Sequence, residues 1–315
     1  MITMPRFIAV GLLLLCFYLV PHAQNDSLRA FEPELFAELP NVRDMAISAD
    51  GKEMFFTVES YKKEFSAVFT CVKKGKKWSK PQLAPFSGEF RDLEPAFSPD
   101  GKRLFFVSAR PLSQSTKVAK DYDIWYLERK SAGEAWSAPV HAGPIVNTKE
   151  DEFYPSIAAS GNLYFTRQTP EATPHEDIWV CEWKENQWQM AQQLGNGINT
   201  QGAEYNAFVA PDESYLIFGA YKRTGDQGGG DLWASQREAN GEWLPAKPMP
   251  LPINSPRIDF CPFVEAATGL LYFTTERSAI PKQMPRKMAT AELLSLMKTP
   301  ANGLERVFCI PFKLP

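Results

Sequence analysis

The residues of this chain whose types and spacing could do chemistry are carboxylates and guanidiniums that recur in register. Asp92, Glu152, Glu204 and Asp259 each open an apolar run, and Arg110, Arg167, Arg223 and Arg277 each close the run that follows. A third set, Asp123, Asp177 and Asp231, heads short runs ending in Trp125, Trp179 and Trp233. Acids and arginines alternating around one opening could hydrogen-bond a sugar or a charged peptide, with Trp and Tyr nearby for stacking. The same residues could instead pair with one another and fix loops. Because the pattern repeats in four units, that structural role is expected for most of them. A pair drawn from Asp92, Glu152, Glu204 and Asp259 could also act as the two carboxylates of a glycoside hydrolase, which sit ~5–9.5 Å apart, but nothing distinguishes one pair from another. Other chemistry is thinner. His141 and His175 are the histidines beyond the leader, and neither an HExxH nor a Gly-x-Ser-x-Gly motif occurs. The glycine-rich run Asp226 to Asp231 lacks the Lys-Ser/Thr of a phosphate loop and the spacing of an EF-hand, so it reads as a turn. No catalytic residue, metal site or cofactor is expected.

The elements that position these residues are repeats. The fullest unit runs from Asp92-Leu93-Glu94-Pro95 through Ser98-Pro99-Asp100-Gly101 to Leu104-Phe105-Phe106-Val107 and Arg110. Equivalent turns fall at Gly51, Gly101, Gly161, Glu213 and Gly269, about 50 to 60 residues apart. Asp-Gly between two apolar runs signals a hairpin, because glycine accepts positive φ. The run after the turn is apolar at successive positions, as expected for a strand covered on both faces. A third strand carries Asp-Ile-Trp or its equivalent. A fourth begins near Trp78-Ser79-Lys80-Pro81, Trp136, Trp188 or Trp243, and its prolines suit an outer edge. Four strands per unit and five units predict an all-β fold, a single five-bladed β-propeller of four-stranded antiparallel blades. The segment Phe31 to Leu35 resembles the fourth-strand phrase and precedes the first blade, so an N-terminal strand is expected to close the last one. Gly303 to Ile310 reads as the third strand of that blade, with residues 278–302 as an insertion carrying a short helix around Ala291 to Met297.

Residues 1–23 read as a signal peptide: Arg6, the uncharged run Phe7 to Val20, and a cleavage site after Ala23. Lipidation at Cys16 is disfavoured by the bulky leucines before it. Residues 24–315 are then one propeller domain, periplasmic or secreted, with no further stretch able to span a membrane. Cys71, Cys181, Cys261 and Cys309 show no CxxC pairing and read as buried free thiols. A net charge of −3 gives no basic surplus, which argues against nucleic acid as a partner.

Ser98-Pro99-Asp100-Gly101, the aromatic strand ending in Arg110, and Asp123-Ile124-Trp125 resemble the TolB-type, WD40-like propeller repeat. Arg223-Thr224-Gly225, Gly230 and Asp231-Leu232-Trp233 add the family's connection between second and third strands. The resemblance covers about residues 31–315 and implies a bacterial envelope module that contacts protein or glycan. It carries no assignment of TolB's own partners, because the additional N-terminal domain of that family is missing from the pattern. The resulting expectation is a non-enzymatic, monomeric propeller that binds an envelope protein or glycan. Its binding face would carry Asp92, Arg110, Glu152, Arg167, Glu204, Arg223, Asp259 and Arg277. A glycoside hydrolase is the alternative.

Overall fold

A computed structural model describes residues 27–113, 118–169 and 175–314. The expected signal peptide lies outside the described residues. The rest forms five antiparallel sheets arranged as blades. Their inner strands are Asn41–Ile47, Asp92–Phe97, Asp151–Ile157, Ala203–Val209 and Asp259–Glu265. Each inner strand touches the next, and the last touches the first, so the ring is closed around a central channel.

Each inner strand turns back into a second strand through the hairpin read from the sequence. Gly101 sits there at φ 68°, in the left-handed region glycine tolerates. In the fourth blade Glu213 holds the same position at φ 57°. Its carboxylate accepts hydrogen bonds from Ser160 Oγ, Asn162 Nδ2 and Tyr164 Oη of the third blade, which offsets the backbone strain and staples two blades together. The second strands are buried on both faces, Leu104 to Val107 completely, because each blade packs between two others. Five apolar clusters fill the five seams. One joins Phe55 and Val68 to Leu104 and Phe106, and another joins Val42 and Met54 to Tyr272 and Cys309. Burying a side chain of this size contributes roughly 1.5–3 kcal/mol.

The outer edge differs from expectation. The fourth strands are only two residues long, for example Gln82–Leu83 and Val140–His141. Trp78 and Trp188 instead belong to small hairpins that extend the third strand. The closing strand is Arg29–Ala30, paired with Cys309 and Phe308, and it ends before the predicted Phe31 to Leu35 segment. Glu32, at φ 41°, turns the chain there. The third strand of the fifth blade is Arg306–Pro311, and a helix, Thr290–Met297, lies on the excursion before it. All four cysteines of the propeller are buried and free. No helix among the described residues is long and apolar enough to cross a membrane.

Candidate functional site

The eight residues singled out by their repetition form four closed pairs, one in each of blades 2 to 5. Arg110 Nη2 lies 2.8 Å from Asp92, Arg167 Nε 2.9 Å from Glu152, Arg223 Nη1 3.2 Å from Glu204, and Arg277 Nη2 2.9 Å from Asp259. All four acids are fully buried. Each is also fed from the arm arriving from the preceding blade: Ser87 Oγ, Thr148 Oγ1, Thr200 Oγ1 and the Ser255 N–H donate to them in turn. Each arginine donates to a carbonyl of the same arm, Phe86, Val146, Gly197 or Ile253. Its guanidinium lies over the third-strand aromatic, Trp125, Trp179, Trp233 or Phe308. The unit is a clasp that fastens one blade to the connection from the last. Burial pushes the Glu152 carboxyl up to about 7 even though Thr148 and Arg167 favour its charge.

A different set of residues faces the channel. Every inner strand carries a β-bulge two residues beyond its first clasp position. The bulged residues are Asp44, Glu94, Tyr154, Asn206 and Cys261, with φ between 49° and 58°. Positive φ is uncommon outside glycine and re-aims the side chain at a bulge. The same backbone feature therefore delivers five different side chains to one waist of the channel. Four of their N–H groups are held by side chains of the preceding blade. Thr274, Thr57 and Thr166 hydroxyls accept from Asp44, Glu94 and Asn206. Blade 2 offers Val107 at the equivalent position, and there the Tyr154 N–H donates to Glu94 Oε2 instead, at 2.6 Å.

Arg43 crosses this waist. Its Nε lies 2.8 Å from Asp44 Oδ1, and its Nη2 lies 2.9 Å from Glu94 Oε1 and 3.5 Å from Cys261 Sγ. Asn206 Nδ2 donates to the same Glu94 oxygen. Burial works against the Arg43 charge, but Asp44, with Cys261, Glu305 and Glu94, overrides it and holds the group well above its ordinary range. Glu94 moves the other way from a normal carboxylate: burial and Asp44 raise it more than Arg43 lowers it. Asp44, Glu94 and Cys261 bring three possible metal-ligand atoms within 4.8 Å of one another. The guanidinium already supplies their counter-charge, so this donor set does not fit a cation.

The waist separates two cavities. One, about 290 Å³, is apolar and lined by Pro95, Phe97, Pro155, Ile157, Phe208 and Phe263. The other, about 490 Å³, opens at the end where the inner strands begin and is lined by Arg43, Glu59, Arg91, Tyr122, Glu176 and Tyr205. Two of its polar atoms are unsatisfied. Arg91 Nε and Tyr122 Oη are buried without a hydrogen-bond partner among the described residues, while the Glu59 carboxyl shares a hydrogen bond with Glu305. Glu59 is 4% exposed, and Arg43 Nη1 stands 3.8 Å from its carboxylate. Burial pushes Glu59 up to about 7; Arg43 pulls it down, and Glu305 and Asp44 push it further up. Burial also raises Glu176. None of the eight clasp residues lines this mouth. The sequence did carry a signal for it: aligned two residues past the clasp acid, the five blades disagree completely, and the first blade has Val42 in the acid's place with Arg43 and Asp44 beside it.

No family profile and no curated protein matches the chain. Among solved structures it is similar to an endo-arabinase from Bacteroides thetaiotaomicron, at 13% identity and a TM-score of 0.52, over 89% of this chain and 96% of that one. It is similar to a GH43_12 from a capybara gut metagenome at 12% identity and 0.52, over 93% of this chain and 55% of that one. A TolB from Agrobacterium tumefaciens gives 13% identity and 0.48, over 87% and 91%. At such identities the first two likenesses support the fold and nothing finer.

Proposed function

We propose that this chain is an exported, non-enzymatic propeller of TolB-like kind that binds a protein or glycan partner in the cell envelope through the polar mouth of its channel. The observation that carries this reading is the mouth itself: a cavity set above a plugged waist, in which buried Arg91 Nε and Tyr122 Oη have no hydrogen-bond partner among the described residues. Unsatisfied buried polar groups cost about 1–3 kcal/mol each, and a ligand that met them would recover that cost. The repeated clasps hold the loops that frame the opening.

A glycoside hydrolase is the second reading, favoured by one feature: Glu59 and Glu176 share the mouth, and both are shifted toward the protonated form. Raised carboxyls of this kind suit general acids. Against it, Asp92, Glu152, Glu204 and Asp259 are each closed on an arginine and a hydroxyl or backbone N–H, which leaves no room for a scissile bond between two of them. The deciding experiment sets the mature protein against a panel of envelope polysaccharides and peptides. Retention on a matrix without soluble product is expected. Product release at catalytic protein levels, lost in Glu59→Gln or Glu176→Gln, would replace the binding reading by the hydrolytic one.

A further inference from the structure

We infer that the apolar cavity on the far side of the waist is a second binding site, for a free, neutral molecule built on two fused aromatic rings. The cavity draws on all five blades and forms a cup. Glu94 and Tyr154 of the waist close its floor, and the hairpin turns frame its rim at the end opposite the mouth. Its walls carry Pro95, Phe97, Pro155, Ile157, Phe208 and Phe263. Phe208 and Phe263 meet edge to face, with ring centres 5.9 Å apart. Six polar side chains also line the cup, and each is already engaged. Ser48 Oγ donates to Asp50, and Ser98 Oγ donates to Asp100. Ser156 Oγ accepts from the Val209 N–H, and Tyr154 Oη donates to the Pro262 carbonyl. Glu94 accepts from Arg43 and Asn206, and Glu265 accepts from Tyr272 Oη. The cup is therefore the reverse of the mouth: it offers apolar surface and asks its occupant for no hydrogen bond.

Size, stiffness and charge narrow the occupant. An apolar cavity of about 150 Å³ is filled by benzene. This one measures about 290 Å³, which is room for two fused rings. Proline rings are too stiff to fold down over a thinner guest, and the faces and edges of phenylalanine pair with other aromatic rings. Among the described residues no basic side chain lines the cup. An anion would be buried there without a partner, a cost that a neutral ring avoids. A cation would find Glu94 and Glu265 already hydrogen-bonded. The rim bears Ala49, Pro99, Pro211, Ala266 and Ala267, with no polar side chain among them to anchor a peptide laid across it. A whole small molecule suits that entrance better than one residue of a partner chain.

The test is calorimetric titration of the mature protein with four probes: indole, naphthalene-2-sulfonate, 1-octanol and a blocked Gly-Trp-Gly peptide. Indole should bind with the negative heat-capacity change of buried apolar surface. It should bind at least about tenfold tighter than the sulfonate, whose charge would be stripped of water without a partner. Ala267→Trp, at an exposed rim position, should abolish indole binding by placing a tethered ring over the cup. Phe208→Leu keeps an apolar wall but removes a ring, and should weaken binding about threefold or more. Melting temperatures show whether both variants are folded. Sulfonate binding as tight as indole's would overturn the neutral class. Octanol binding as tight as indole's would overturn the ring and point to an acyl chain. Peptide binding tighter than indole's would overturn the free molecule and point to a partner's side chain. Unchanged indole affinity in folded Ala267→Trp and Phe208→Leu would put the indole elsewhere and overturn the site. No binding of indole up to its solubility limit would overturn the inference. The polysaccharide and peptide panel decides the reading of the mouth separately, because the mouth lies at the other end of the channel.

Discussion

The clasps and the waist are built from neighbouring residues of the same strands, yet they obey opposite rules. At the clasp position blades 2 to 5 place Asp, Glu, Glu and Asp, each paired with an arginine. Two residues on, the bulge places Asp, Glu, Tyr, Asn and Cys in five blades with one backbone conformation. Repetition marks what every blade needs in order to stand beside the next. Variation on a repeated backbone marks what the ring needs only once. The comparison teaches where to look in a repeat protein: at the positions where a constant geometry carries a changing side chain.

The sharpest way to break this comparison is at the clasp. Arg110→Met leaves Asp92 buried with its serine donors but no cation. Losing one partner of a buried pair costs about 3–5 kcal/mol, so thermal unfolding should shift down by many degrees. An unchanged melting temperature would mean that the clasps are not structural and that the eight residues are free for ligand. Next in size is pH dependence. Glu59 and Glu152 are raised to about 7 in the folded chain, above the ordinary value of an unfolded glutamate near ~4.3. Between those values the folded chain holds more protons than the unfolded one. Stability therefore falls as pH rises through this window and levels off above it, by ~1–3 kcal/mol from these groups together. A melting temperature that instead climbs from pH 5 to pH 8 would contradict the burial of both acids.

A smaller effect separates the waist from the clasps. Thr57→Val removes the hydroxyl that accepts from the Glu94 N–H, and should cost ~1–3 kcal/mol for a buried donor left unmet. Denaturant unfolding would measure it. A neutral result would mean that the bulge N–H finds another acceptor, as Tyr154 does beside Val107. The smallest change is expected from Glu59→Gln. It discards a charge that the fold disfavours, so stability at pH 8 should stay level or rise by up to ~1 kcal/mol. A clear loss would place Glu59 among the structural acids.

The ring was readable in the chain because its punctuation repeats. Gly51, Gly101, Gly161 and Gly269 mark turns whose backbone needs positive φ, and the aromatic strands after them are apolar throughout because both faces are covered. The clasp residues were readable for the same reason, as matching acids and arginines. What they do was less so: sequence spacing brought acid and arginine to one end of the blade, but only the structure shows each arginine reaching a carbonyl of the arriving arm. The waist was hidden because a bulge shifts register. After Leu93, Phe153 or Phe260 the alternation of faces slips by one, and strict period-two reading assigns Glu94 or Cys261 to the wrong side. The fourth strands were overestimated because Trp and Pro at the edge read as a strand, while the backbone there pairs for two residues only.

The fifth blade joins Arg29 and Ala30 to Cys309 and Phe308. A ribosome makes chains from the amino end, so the first strand of the propeller waits for the last strand of its fifth blade. The ring cannot shut on a nascent chain. Blades 1 to 4 can each assemble as they emerge, but the circular seam between first and fifth closes only after Arg306–Pro311 has been made, the slowest kind of contact to form. Until then the chain remains an open arc whose end blades expose apolar faces, in a form still able to be threaded or captured by a chaperone.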